Sequence, residues 1–63
     1  MENEKEIMRD AVAEAYYRED EETVTRDSVA RAAALIADQN GVNVQTAPYL
    51  QDLFYEALDE YFN

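Results

Sequence analysis

The chain has 63 residues, with fifteen Asp and Glu against five Lys and Arg and no His, for a formal charge of -10 and a pI near 4.1. Without Cys it offers no disulfide, thiol nucleophile or Cys-based metal site, and without His it lacks the commonest general base and zinc ligand. Such a surface repels phosphates, which excludes direct binding to DNA, RNA or an anionic membrane.

A chain this short buries only about 60% of the surface its unfolded form exposes, so the core is one thin layer with little room for a substrate cleft. Charge alone could signal disorder, but 48% of the residues are hydrophobic, and a single Gly and a single Pro are too few for a linker. Met1 is followed by Glu2, Asn3 and Glu4, which does not resemble a signal peptide. The longest apolar stretch, Ala32 to Ala37, is too short to span a bilayer. The expectation is a single helical domain over residues 1–63, acting in the cytoplasm.

Apolar spacing predicts three helices. The first covers residues 3–18, with Ile7, Met8, Ala11, Val12, Ala15 and Tyr16 on one face. The acidic run Glu19, Asp20, Glu21 and Glu22 ends it. The second covers residues 25–39, with Thr25 or Asp27 as N-cap and Asn40-Gly41 as its stop. Val29, Ala32, Ala33 and Ile36 form its apolar face. Val42 and Val44 alternate with polar residues, which allows a brief extended connector. The third helix covers residues 47–62, with Pro48 in its first turn.

On the third helix Leu50, Leu53, Phe54, Ala57, Leu58 and Tyr61 make a continuous apolar face, which Tyr55 and Phe62 widen to about 200°. So wide a face predicts that this helix is central, flanked by the other two. It also allows a homodimer through Phe54, Leu58, Tyr61 and Phe62. The fold class expected is all-α, a small three-helix bundle that is a candidate dimer.

The charges are unevenly offset. Residues 1–31 hold ten acids and five bases, and residues 32–63 hold five acids and no base. Each base follows an acid at helical spacing, in the pairs Glu2–Lys5, Glu6–Arg9, Glu14–Arg18, Glu22–Arg26 and Asp27–Arg31. These are expected to be local helix support. Asp52, Glu56, Asp59 and Glu60 instead fall within an arc of about 100°, without a base in their own helix. Glu2, Glu6, Asp10 and Glu14 form a ladder of acids at i+4 spacing, which destabilises a helix locally.

No chemistry of catalysis is expected, and no metal or cofactor. Paired carboxylates working as acid and base need a cleft that raises one pKa, and these acids fall on helix surfaces. Glu19 to Asp27 lacks the acid spacing, central Gly and terminal Glu of a calcium loop. Ala37, Gly41, Val42 and Leu50 have helix-turn-helix spacing, but the would-be recognition helix would point carboxylates at phosphates.

The expected function is therefore binding. The acidic face would engage a basic, nucleic-acid-binding surface of a partner protein. Carboxylates at i+4 rise about 6 Å apart, comparable to successive phosphates of a strand, so nucleic-acid mimicry is the concrete version. Small phage-encoded inhibitors of host defence, such as anti-CRISPR and anti-restriction proteins, are short, acidic and free of catalytic residues, and the chain is similar to them in type alone. The candidate contacts are Asp52, Glu56, Asp59 and Glu60, then Glu19, Asp20, Glu21 and Glu22, and third the ladder of the first helix, joined by the off-face tyrosines Tyr17, Tyr49 and Tyr55. The alternative is an assembly module that docks through the aromatic face of the third helix. Its acids would then serve solubility or adaptation to high salt.

Overall fold

A computed structural model, which describes residues 3–62, is all-helical, with α1 (Glu4–Arg18), α2 (Arg26–Gln39) and α3 (Pro48–Phe62). There is no strand among the described residues. The Cα radius of gyration is 10.8 Å, against about 11 Å for a compact chain of this length. The expected three-helix bundle and its boundaries hold to within one residue at each start.

Local chemistry explains those boundaries. Asn3 caps α1, its side-chain oxygen accepting from the Glu6 N–H at 2.9 Å. Thr25, not Asp27, caps α2. Its hydroxyl accepts from the Ser28 N–H at 3.0 Å, and the Ser28 hydroxyl accepts from the Thr25 N–H at 3.1 Å. This is a reciprocal capping box with Ser in the place of the usual Glu or Gln. Gly41 ends α2 at φ 89°, which lets the Val42 N–H turn back to the Ala37 carbonyl at 2.9 Å. That bond carries Val42 into the core.

The connector is a turn and not an extended segment. Asn43 organises it: its side-chain oxygen accepts from the Gln45 N–H at 2.9 Å, and its carbonyl accepts from the Thr46 hydroxyl at 2.7 Å. An isolated strand would have no ladder partner, so these local bonds win. Val42 and Val44 both face inward nevertheless.

The helices run up, down and up. Tyr49 near the start of α3 meets Glu4 at the start of α1, and Tyr61 meets Tyr16 at their other ends. Arg26 at the start of α2 meets Asp59 late in α3. The central helix is α1, which corrects the expectation that α3 is flanked on both sides. It packs against both neighbours, while α2 and α3 touch each other least. Met8, Ala11, Val12 and Ala15 are all essentially sealed from solvent. Small residues explain the order, because Ala11 and Ala15 on α1 with Ala33 and Ala37 on α2 permit close approach of those two helices. The breadth of α3's apolar arc came partly from Tyr55, which stays 52% exposed.

Phe54 and Leu58 belong to the monomer's core, with Leu58 fully enclosed. They are therefore spent on the fold and offer no surface to a second chain, contrary to the dimer contacts expected of them. Of that set only Tyr61 and Phe62 are partly exposed. Leu58→Ala should cost about 2–5 kcal/mol, most of what a small domain has, and lower the urea midpoint accordingly. Gly41→Ala meets no steric neighbour, so its cost should be the backbone term alone, about 1–2 kcal/mol in the same urea titration.

Candidate protein-interaction surface

The acidic arc of α3 is divided between two environments. Glu56 and Glu60 border the groove toward α1, which Lys5 and Arg9 line from the other side. Glu6 and Asp10 of the α1 ladder approach the same Arg9 and Glu60. Asp52 is exposed, and Asp59 is bound by the Arg26 guanidinium. The surface is thus a belt of carboxylates across the α1–α3 groove, with two bases set into it.

This placement revises the role of the bases. Of the five expected local pairs, Glu2–Lys5 involves a residue outside the described ones. Among the described residues only Glu14–Arg18 forms, at 2.9 Å and exposed on both sides. Arg26 pairs across the bundle with Asp59 in place of Glu22. The third helix therefore has basic neighbours that its own sequence does not supply. Helical spacing along one chain segment could not reveal them, since they depend on which helices become adjacent. Both ion pairs are solvent-exposed, so each contributes at most about 1 kcal/mol.

The run at residues 19–22 forms the α1–α2 loop. It lies at the same end of the bundle as the α3 C-terminus, through the Tyr16–Tyr61 stack and the Arg26–Asp59 pair. Asp20 has a local duty: its carboxylate accepts from the Glu22 N–H at 3.0 Å, and its carbonyl from the Val24 N–H at 2.9 Å. It holds the loop as an Asx turn. Glu21 and Glu22 are exposed, and Glu19 is half-buried.

The tyrosines separate into three settings. Tyr17 is 76% exposed and sits edge-on to Tyr16 and Tyr61, at 5.6 and 6.3 Å between ring centres. Tyr16 and Tyr61 stack at 4.6 Å, with Phe62 edge-on to Tyr16. This cluster closes the end of the bundle nearest the acidic loop. Tyr55 lies over the shallow groove between α2 and α3. Tyr49 donates its hydroxyl to the Glu4 carboxylate at 2.7 Å, a contact between helices that no sequence spacing signals.

Two hydroxyls are perturbed. The hydrogen bond to Glu4 raises the Tyr49 pKa above the usual 10.0, helped by desolvation and by the nearby carboxylate charge. Burial raises Tyr61, with Tyr17 and Glu60 adding to the shift and Arg9 opposing it. Among the described residues no polar or charged side chain is buried. Nor do any three acids gather where they could hold a metal ion. No helix among them is long and apolar enough to cross a membrane.

No protein-family model matches the chain, and neither does any curated protein or any solved structure.

The Tyr49–Glu4 bond has a definite pH signature. The Tyr49 pKa is raised in the folded state, so its contribution is fully present below the unfolded tyrosine pKa and is lost as pH rises through the raised folded value. Tyr49→Phe should remove that alkaline step from the stability-versus-pH curve and delete a late-titrating phenol from the tyrosinate absorbance. An unchanged alkaline limb would mean that the bond does not form.

Proposed function

We propose that this protein binds a basic surface of a partner protein and occludes it, in the manner of a nucleic-acid mimic. The observation that supports this reading is the belt of exposed carboxylates on the α1–α3 side, where Glu56 and Glu60 of α3 border the groove that Glu6 and Asp10 of α1 approach, with exposed Asp52 one helical turn before Glu56. Two rows of acids on two parallel helices offer a doubled track of negative charge. Lys and Arg lining a nucleic-acid groove would meet such a track as they meet phosphates, and long-range attraction would speed the encounter. Arg9 and Lys5 line the groove between the two rows without cancelling them, since the molecule keeps a charge of -10.

The mechanism is steric and electrostatic, with no bond made or broken. Tyr49 of α3 and Tyr17 of α1, exposed at opposite ends of the bundle, supply ring area for contacts that charge alone would leave loose. An inhibitor of a nucleic-acid enzyme, including one of phage origin directed at host defence, is the biological form that fits this surface.

The test is capture of partners on the immobilised protein at low and high salt, followed by competition with duplex DNA for the captured protein. Asp52→Asn, Glu56→Gln and Glu60→Gln together leave the Arg26–Asp59 pair intact. At about 0.5–1 kcal/mol per contact, this triple variant should bind roughly tenfold or more weakly and with a shallower salt dependence. Equal binding by the triple variant, or a partner that binds DNA and this protein at once, would reject the mimicry.

A further inference from the structure

The outward face of α2 has a composition unlike the rest of the molecule. Leu35 is 67% exposed, is absent from the core, and stands beside Ala34 with Arg31 and Asp38 on either side along the helix. At 100° per residue Arg31, Ala34, Leu35 and Asp38 occupy one arc of about 100°. Arg31 has no ion-pair partner among the described residues, and neither has Asp38.

Charge also sets this helix apart. α2 carries Arg26 and Arg31 against Asp27 and Asp38, so its net charge is zero. α3 carries four acids and no base. A second copy of a protein this acidic is repelled from most of its surface, and the repulsion is weakest along α2.

We infer that the outward face of α2 is a homodimer interface, in which two α2 helices pack antiparallel about a two-fold axis between Ala34 and Leu35. The register follows from arithmetic: positions related by the axis sum to 69, which places Arg31 against the partner's Asp38 and Ala34 against the partner's Leu35. One dyad thus makes two equivalent Arg–Asp pairs flanking a small apolar centre. The pattern is complementary to itself, as an isologous contact requires. Leu35 of each copy enters the shallow groove that Ala34 and Val44 line beside α2. The alanine opposite leaves room for it. This interface is independent of the acidic belt, which lies on the α1–α3 side.

Charge exchange tests the register. By sedimentation equilibrium over a wide concentration range, the wild-type chain should dimerise. Arg31→Asp and Asp38→Arg should each be monomeric, since each places like charges opposite one another at both pairs. An equimolar mixture of the two single variants should restore a dimer, now mixed, because both pairs become opposite in sign. Leu35→Asp should abolish dimerisation with the helical circular dichroism unchanged. A wild-type chain that stays monomeric at millimolar concentration overturns the inference. So does a dimer that survives Leu35→Asp, which would place the contact elsewhere, as at Tyr61 and Phe62. Failure of the mixture to associate would overturn the antiparallel register.

Discussion

The packing of α1 between its two neighbours is the constraint from which the remaining structure follows. Met8, Ala11, Val12 and Ala15 must be covered from two sides at once. A chain of 63 residues has few large side chains with which to do this. Val29 of α2 and Phe54 and Leu58 of α3 are therefore committed to the interior. The α2 contribution is otherwise mostly alanine, which lets the helices come near but buries little area per residue. Close approach replaces bulk as the source of packing, and the helix with the longest apolar arc in sequence ends up at the side.

The same arrangement governs the charges. Placing α3 parallel to α1 brings its acids to Lys5 and Arg9, and placing α2 antiparallel brings Arg26 to Asp59. The like-charge cost along α3 is thereby reduced by neighbours outside that helix. Each such exposed contact is small in high dielectric. The compensation makes the acidic belt tolerable without making it neutral, and a stable surface can remain strongly negative.

Much of this was legible in the sequence, for identifiable reasons. Helix ends are written in local chemistry: Asn3, Thr25, Gly41 and Pro48 each act within four residues of themselves. The inward positions of α1 follow from periodicity alone. The order of packing was not legible, because periodicity measures how wide an apolar arc is and not what lies against it. Tyr55 counted toward the width of α3's arc yet kept half its surface in water. The ion pairs failed for a related reason. Arg26 has Glu22 at helical spacing, but Glu22 sits in a turn before the helix begins, and Asp59 reaches Arg26 through the fold. Spacing shows that Tyr49 stands off the apolar face, while its bond to Glu4 joins residues 45 apart. Of the candidate contacts, the exposed acids stand where the pattern put them, and Phe54 and Leu58 do not.

An acidic protein that binds by charge faces a difficulty of its own, since the field that attracts a basic partner also repels a second copy. The distribution along this chain separates the two effects. The four acids of α3 and the four of the α1–α2 loop carry most of the net charge. Both sets are concentrated away from the outward stripe of α2, whose helix is neutral. Screening at physiological salt limits exposed charges to a range of about 8 Å, while the bundle measures 33 × 20 × 17 Å. A contact along α2 therefore feels its own Arg and Asp residues more than the distant belt. One such contact would also bring together two belts in one particle, and a basic groove longer than one copy would then meet both. Self-association and charge-driven binding are in this way compatible on one small molecule, because its neutral helix and its acidic rows occupy different sides.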